Sequence, residues 1–509
     1  MRKLLVLALP LVAVVGLAIA ATPEIQPDAV LGHIKYLASD ELKGRGNGQE
    51  GLERAAEYIA EQFKAAGLRP AGASNNWFQP FELQAGLTAG VGNELLIETR
   101  GRAVRLSLGS GYYPLAATPN DSSASPSADF DNLPLVFAGY GISAPSVNYD
   151  DYAGLDVTGK AVLIFSHEPQ EARTESRLNG LRPLGETTLE AKAAAARSRG
   201  ARVLIVVSDP SHRVDQANYE LFSVDPDAEE HGIPVLRVRR SAVTPLLQGW
   251  ALDAVAASID RDLIPRSRAL AGAEVDYTEF LARNRHTVRN VVGILPGSDP
   301  TRADEAVVIG AHYDHVGLGG RFSSDPERTG EIHNGADDNA SGTSAIIEMA
   351  KAAAADRSRF PRSLVFAAFA GEERGLLGSA HYANSPSVPL SNTVAMLDLD
   401  MVGRSRGKLQ TSGLEKAPSL ETDLLAAVKA AGGIDLGRQG PGAGRSDDAN
   451  FLQQRIPSII FFTGFHSDYH RPGDDWDKID APGTARVATI ALEFAARIAA
   501  RLDRPAFVD

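Results

Sequence analysis

From Asn290 onward, short apolar runs alternate with longer helical stretches, and this alternation limits the possible folds more than any other feature of the sequence. Apolar runs of about four to eight residues, without polar alternation, are typical of strands that are buried on both faces. The runs are Ala306–Gly310, Ser363–Phe369, Thr393–Leu399 and Pro457–Phe462, and the helical stretches lie near Thr343–Ala355, Gly375–Asn384, Ser419–Ala431 and Thr484–Leu502. The pattern predicts an α/β fold with a mixed, mainly parallel sheet and helices on both faces.

The part of the chain before Asn290 is organised differently. Residues 27–67 carry apolar residues at helical spacing, and we expect the glycine-rich segment Gly46–Gly51 to be a flexible loop between two helices. The Ser-, Pro- and Asp-rich stretch Pro119–Asp131 marks a boundary. After it, strand-like and helical segments alternate up to residue 262, which predicts a smaller inserted α/β domain.

Histidines and carboxylates follow each of the four apolar runs. Because the carboxyl ends of parallel strands meet at one edge of a sheet, where ligands bind, we expect these side chains to converge. A loop that opens a helix adds two more carboxylates. The residues are His312 and Asp314 after the first run, Asp337 and Asp338 in the loop, Glu372 and Glu373 after the second run, Asp398 and Asp400 at the end of the third, and His466 and His470 after the fourth.

Such a cluster of carboxylates requires cations. Without counter-charge, neighbouring carboxylates raise one another's pKa values and lower stability, and two divalent cations would offset that charge. The sequence contains no Cys, so the ligands must be His, Asp or Glu. Histidine nitrogen with carboxylate oxygen suits Zn²⁺ in an open catalytic site, and Mn²⁺ or Co²⁺ fits the same donors.

Five motifs, in chain order, carry a family resemblance. They are His312-Tyr-Asp314, Gly335-Ala-Asp-Asp-Asn-Ala-Ser-Gly342, Gly371-Glu-Glu-Arg-Gly-Leu-Leu-Gly-Ser379, Leu399-Asp-Met401 and Asp468-Tyr-His470. Together they resemble the co-catalytic di-zinc aminopeptidases, which are relatives of aminopeptidase Y, of secreted bacterial leucyl aminopeptidases and of glutamate carboxypeptidase. The match is loose over residues 27–115 and strong over 288–500. The insert, which includes Phe137–Gly141, resembles the protease-associated (PA) domain of some relatives.

The resemblance implies a phosphorylase/peptidase-like fold, with a zinc peptidase domain in residues 22–118 and 263–509 and a PA domain in 125–262. It also implies an exopeptidase that removes N-terminal residues from peptides by means of a water activated by two metal ions. Asp337 would bridge two zinc ions, and Glu372 would be the general base. The implied metal ligands are His312, Asp337, Glu373, Asp400 and His470.

Several neighbouring residues have expected roles of their own. Asp314 lies two residues from His312 on the same side of an extended segment, so we expect it to accept the second imidazole N–H and fix the tautomer. Asp338 is either a helix cap or the second residue of a strained Asp-Asp peptide. Tyr469 either donates a hydrogen bond to the developing oxyanion or packs as an ordinary aromatic residue. The remaining histidines in this region, which we expect to be loop or surface residues, are His315, His333, His381 and His466.

Charge and the amino terminus bear on location and partners. The formal net charge of −13 argues against nucleic-acid binding, which requires a basic face. Arg2 and Lys3, followed by an apolar run and Ala18-Ile19-Ala20-Ala21, predict a signal peptide over residues 1–20. We therefore expect an exported protein, periplasmic or secreted, that is not membrane-bound after cleavage and acts on peptides. Its oligomeric state does not follow from the sequence.

Two alternatives stay open at this stage. One is a carboxypeptidase or dipeptidase of the glutamate carboxypeptidase type, for which Arg404, Arg406 or Arg445 would have to receive the substrate carboxylate. The other is a non-catalytic relative that serves as a receptor, although such proteins lose ligands that are all present here.

Overall fold

The structure is a computed structural model. It describes residues 25–99, 101–109, 111–171, 173, 175–178, 184–209, 231–246, 251–319, 322–325, 328, 330–437 and 442–508. The predicted signal peptide lies outside these residues. Within them, no helix combines the length and the apolar character that a membrane span requires.

The helices and strands alternate along the chain as the sequence predicts. In the described residues the α-helices are α1 (Pro27–Leu37), α2 (Glu50–Ala65), α3 (Leu189–Ser198), α4 (Arg240–Val243), α5 (Leu252–Asp262), α6 (Gly342–Ala355), α7 (Leu377–Asn384), α8 (Glu421–Ala430), α9 (Asp448–Gln453) and α10 (Ala481–Ala500). The strands are β1 (Arg69–Pro70), β2 (Phe78–Ala89), β3 (Glu94–Thr99), β4 (Arg102–Ser107), β5 (Tyr112–Ala116), β6 (Ala128–Phe137), β7 (Ser143–Ala144), β8 (Tyr149–Asp150), β9 (Ala161–Phe165), β10 (Val203–Val207), β11 (Val235–Val238), β12 (Arg268–Glu279), β13 (Leu281–Leu295), β14 (Ala306–His312), β15 (Ser363–Phe369), β16 (Thr393–Leu399), β17 (Lys408–Ser412), β18 (Asp435–Gly437) and β19 (Ser458–Phe462).

The larger sheet belongs to the first of two compact units, which comprises the described residues up to Phe81, those within Val288–Asp325 and those from Gly330 onward. Its strand order is β1-β13-β15-β14-β16-β19-β17-β18, with β2 also paired to β13. The four central strands, β15, β14, β16 and β19, are parallel, and Ile309 of β14 lies opposite Phe366 of β15 and Leu397 of β16. Antiparallel strands flank them on both sides, so the predicted mixed, mainly parallel sheet is confirmed.

Helices cover both faces of this sheet. On one face, Phe63 of α2 packs against Phe366, with ring centroids 6.2 Å apart. On the other face, Phe369 packs against Tyr382 of α7 at 5.9 Å and against Phe451 of α9 at 6.3 Å. Phe366 and Phe369 point to opposite faces because side chains alternate along a strand. The central strands are therefore buried on both sides, which is why they are continuously apolar.

The second unit comprises the described residues between Glu82 and Thr287, together with Arg328. Its sheet has the order β4-β3-β12-β6-β9-β10-β11-β5, with a parallel centre formed by β6, β9, β10 and β11. Residues 82–118 and 263–287, which we predicted to lie in the peptidase domain, belong to this unit instead. The reason is that β3, β4 and β5, from before the expected boundary, and β12, from after it, pair within this sheet.

Candidate metal centre

The carboxyl ends of the central parallel strands supply the candidate site. His312 is the last residue of β14, and Asp400 directly follows β16. Glu372 comes three residues after β15 ends, and His470 lies in the loop after β19. These side chains line a cavity of about 330 Å³ together with Asp338. The predicted convergence at one sheet edge is therefore present in the structure.

One group of ligand-type side chains forms around His312, which is almost completely buried. Its Nε2 lies 3.4 Å from Asp400 Oδ1, 3.3 Å from Asp338 Oδ1 and 3.9 Å from Glu372 Oε2. Its Nδ1 donates to a backbone carbonyl, so Nε2 is the ring nitrogen that faces the carboxylates.

A second group forms around His470. Its Nε2 lies 3.0 Å from Glu373 Oε2 and 3.1 Å from Asp338 Oδ2. Its Nδ1 donates to the carbonyl oxygen of Phe322 at 2.7 Å, which again leaves Nε2 as the free ring nitrogen. His315 completes this group through Nδ1, 2.7 Å from Glu373 Oε1.

Asp338 connects the two groups. Its Oδ1 faces His312 and its Oδ2 faces His470, so one carboxylate offers an oxygen to each side. The Asp338 side chain is buried. The backbone N–H groups of Asp338 and Asp337 both donate to Asp474 Oδ2, at 3.1 and 3.0 Å. This is the bridging position that sequence analysis gave to Asp337.

Asp337 itself lies elsewhere. Its Oδ1 accepts hydrogen bonds from the Gly403 N–H at 2.6 Å and from the Ser341 hydroxyl at 3.1 Å. Its Oδ2 lies 3.2 Å from His466 Nε2. Among the described residues, neither group of metal-ligand type includes Asp337. The structure therefore places Asp338, and not Asp337, between the histidines.

Asp314 is buried beside His312, but its contacts differ from the expectation. The His312 Nδ1 donates to the Asp314 backbone carbonyl at 3.2 Å, whereas the Asp314 carboxylate lies 3.8 Å from that nitrogen. The carboxylate instead accepts the N–H groups of Glu372 at 3.1 Å and Glu373 at 3.3 Å, and the Asn47 amide at 2.6 Å. Asp314 thus fixes the segment that carries both glutamates. The contact of Asn47 also anchors Gly46–Gly51, which we had expected to be a flexible loop.

Two arginines hold the loops of the site: Arg45, which sequence reasoning missed, and Arg404, which it considered only as a receptor for a substrate carboxylate. Arg45 has no exposed surface and donates to the carbonyl oxygens of Tyr313, Asn334 and Gly335 at 2.8–2.9 Å, and to that of Leu37. Burial lowers the pKa of Arg45 to about 10, although nearby carboxylates, Asp338 foremost, oppose that shift. Nothing in the local sequence distinguishes this residue from a surface arginine.

Arg404 is the second. It pairs with Asp474 at 2.6 Å and with Asp468 at 2.7 Å. Because Asp474 accepts the two N–H groups next to the Asp338 side chain, Arg404 supports the backbone that presents the bridging carboxylate.

The other histidines divide into two kinds. His315 and His333 lie in loops, as expected of loop or surface residues, but both are buried, and His333 Nε2 lies 2.8 Å from the Ser323 hydroxyl. His381 is partly exposed and stacks on Phe81 at 5.0 Å. Tyr469 lines the cavity and stacks on His470, with ring centroids 3.9 Å apart.

Carboxylates outnumber histidines in the two groups of the site. Burial alone would lower the pKa of His312, but Glu372, Asp338 and Asp400 together hold it well above its ordinary value. Burial also raises the pKa of Glu372. The carboxylates of Glu373 and Asp400 raise this pKa further, whereas His312 lowers it. The two groups contain four carboxylates and three histidines.

The donor set fits divalent metal ions. The buried Asp400 Oδ1 has no hydrogen-bond donor among the described residues, as expected of an atom that faces a cation. Ring nitrogens and carboxylate oxygens from separate elements surround two neighbouring spaces, and Asp338 contributes to both. Imidazole and carboxylate donors without sulfur are those of open zinc sites.

Comparison with known proteins agrees with this chemistry. Residues 290–495 match the model of Peptidase family M28, and residues 128–246 match that of the PA domain. A probable zinc metalloprotease of Pyrenophora teres f. teres is 36% identical over 121 residues, which is 24% of this chain and 24% of that protein. Aminopeptidase YwaD of Bacillus subtilis is 27% identical over 307 residues, 58% of this chain and 56% of that protein. The chain thus spans about a quarter and about half of these two relatives.

Solved structures show that the fold is shared over nearly the whole chain. The aminopeptidase from Aneurinibacillus sp. strain AM-1 superimposes with a TM-score of 0.58 at 23% identity, covering 96% of this chain and 97% of that one. The zinc aminopeptidase BSAP from Bacillus subtilis has a TM-score of 0.54 at 20% identity, covering 95% and 98%.

The position of the bridging carboxylate can be tested by isosteric substitution. We expect Asp338→Asn to reduce bound zinc from about two ions to about one or none per chain, because the shared anionic ligand is lost. Asp337→Asn is the matched control and should keep about two, since its amide oxygen can still accept from Gly403 and Ser341. Elemental analysis after equilibration with zinc measures both, and the reverse pattern would show that Asp337 is the bridge.

Proposed function

We propose that this chain, a member of Peptidase family M28 with an inserted PA domain, is a zinc aminopeptidase that removes N-terminal residues from peptides. The observation that carries the proposal is the Asp338 carboxylate, whose two oxygens face histidines from two separate segments, the end of β14 and the loop after β19. The family match and the likeness to aminopeptidase YwaD support the same reaction class.

The chain's residues divide between two zinc ions. His312 and Asp400 would hold one ion, Glu373 and His470 the other, and Asp338 would contact both. Zinc bound there would polarise the scissile carbonyl and acidify the attacking water. Every one of these ligands except Asp338 was predicted for this role from the sequence.

Glu372 is suited to move the proton. Its side chain is largely buried, it lines the cavity, and it lies next to a proposed ligand in sequence. The Asp314 carboxylate holds its backbone through the N–H bond at 3.1 Å, so the glutamate has a fixed starting position. We assign to Glu372 the removal of a proton from the attacking water and its delivery to the leaving amine.

The rest of the cavity is suited to bind the substrate. Tyr469 lines the cavity together with the carboxylates, and we assign to its hydroxyl a hydrogen bond to the oxyanion. Burial, together with carboxylates such as Asp338, raises the pKa of Tyr469, so the phenol keeps its proton at neutral pH. The apolar wall favours an apolar first side chain and consists of Met401, Ile460, Phe462 and Phe465.

A carboxypeptidase reading is less well supported. Of its three candidate arginines, Arg404 is committed to Asp468 and Asp474, as described above. Arg406 is exposed and is not among the described residues that line the cavity, whereas Arg445 is exposed and lines it. A single exposed arginine is a weak receptor for a terminal carboxylate compared with the paired, buried arginines that such recognition favours.

If Glu372 is the general base, its substitution should lower turnover without changing zinc binding. Glu372→Gln should lower kcat by about 10²–10⁴-fold while zinc content stays at about two, because the amide cannot accept the proton. Glu61→Gln, on the exposed face of α2, is the control and should retain full activity. Near-normal turnover of Glu372→Gln would show that another group is the base.

The aminopeptidase assignment predicts a requirement for a free substrate amine. Dipeptides with an apolar first residue should be hydrolysed, their N-acetylated forms should not, and a chelator should abolish hydrolysis until zinc is restored. Liquid chromatography of the products distinguishes the cases. Hydrolysis of only the N-acetylated substrates would favour the carboxypeptidase alternative.

We also propose export, on the basis of the basic start, the apolar run and the small residues up to Ala21. The mass of protein recovered from the periplasm or culture fluid should correspond to a chain that lacks about residues 1–20. Full-length protein retained in the cytoplasm would contradict export.

A further inference from the structure

His315 is a buried histidine whose role the proposed reaction does not explain. It lies three residues after His312, beyond the end of β14, and its side chain has no exposed surface. Its backbone N–H donates to the Arg45 carbonyl at 3.2 Å, which fixes the position of the residue next to the bridging loop. A histidine held this firmly needs a physical reason for its imidazole.

The imidazole contacts the outer oxygen of a proposed ligand. His315 Nδ1 lies 2.7 Å from Glu373 Oε1, which is hydrogen-bond distance. The other oxygen, Oε2, is the one that lies 3.0 Å from His470 Nε2. His315 therefore contacts the Glu373 oxygen that does not face His470, and its Nδ1 is 3.8 Å from Asp338 Oδ2, beyond hydrogen-bond distance.

The surrounding backbone leaves space for this ring. Gly335 has a φ of +57°, and a Cβ added there would lie 2.5 Å from the His315 Cδ2. The ring stands edge-to-face against His470, with centroids 5.5 Å apart. His315 Nε2 is buried and has no hydrogen-bond partner among the described residues, so the polar interaction of the ring is the one at Nδ1.

We infer that His315 is a positioning residue whose Nδ1–H donates to Glu373 Oε1 and thereby keeps Oε2 aimed at the zinc site. This inference rests on the proposed function. Without the donor, the Glu373 carboxylate can rotate about its terminal torsion and offer either oxygen, which lowers the fraction of chains with a formed site. Hydrogen bonds to ligands of this kind change metal affinity by about 10–100-fold.

Three substitutions at this position separate the hydrogen bond from the bulk of the side chain. In His315→Asn the amide Nδ2 occupies nearly the place of the imidazole Nδ1 and can still donate. His315→Gln places its donor further out, and His315→Leu keeps the volume without any donor. His381→Leu is the control, because that ring is partly exposed and stacks on Phe81 away from the cluster.

The readout is zinc affinity, measured by competition with a chromophoric chelator, together with zinc content and thermal unfolding of the chelator-treated protein. We expect the Leu and Gln variants to bind the weaker zinc ion about 10–100-fold less tightly than wild type, and the Asn variant to lie within about threefold. Unfolding without zinc shows that each variant folds, and we expect a lower unfolding temperature for His315→Leu than for His315→Asn, because the Leu variant leaves the buried Glu373 carboxylate without a donor. In the zinc-loaded enzyme, kcat should fall more than KM changes.

Two results would overturn the inference. Wild-type zinc affinity in His315→Leu would show that the ring only fills space. A loss of one zinc ion in His315→Asn as complete as in His315→Leu would show that the imidazole is itself a ligand. The proposed function fails separately, if the wild-type protein binds no zinc. If the wild-type protein binds two zinc ions and His315→Leu has the same zinc affinity, only the role of His315 is wrong.

Discussion

The Asp338 carboxylate faces His312 with one oxygen and His470 with the other, and the rest of the site is arranged around this interaction. A buried carboxylate is stable only when cations or hydrogen-bond donors compensate its charge. His312 is the last residue of β14 and His470 lies in the loop after β19. The Asp338 side chain therefore contacts elements that are distant in the sequence.

The support for this carboxylate extends outward in layers. Asp474 accepts the N–H groups of Asp337 and Asp338, and Arg404 neutralises Asp474. On the other side, Arg45 binds the carbonyl oxygens of Asn334 and Gly335, just before the bridging residue. The position of the loop is thus determined by buried ion pairs and carbonyl contacts, which lose much of their value if a single partner is removed.

The sequence predicts the architecture well, because apolar periodicity and strand burial are local properties. The strands Ser363–Phe369 and Thr393–Leu399 have the predicted bounds, and the residues that follow them converge as expected. The choice between Asp337 and Asp338 was wrong for a local reason. The backbone leaves helical geometry at Asp338, with φ −104° and ψ 98°, so the direction of each side chain depends on a turn that residue spacing does not reveal.

Residues that act through tertiary contacts were not predictable in the same way. Arg45 looks like a surface arginine, and His315 looks like a loop histidine, until distant segments close around them. The boundaries of the second unit were misplaced for a similar reason, since β3 and β12 pair across a separation of about 180 residues that no local pattern reports.

The most direct test of the account is anomalous diffraction at the zinc edge from crystals of the zinc-loaded protein. Two peaks should appear about 3.5–4 Å apart, with the Asp338 carboxylate between them, His312 and Asp400 on one and Glu373 and His470 on the other. A single peak, or a pair bridged by Asp337, would contradict it.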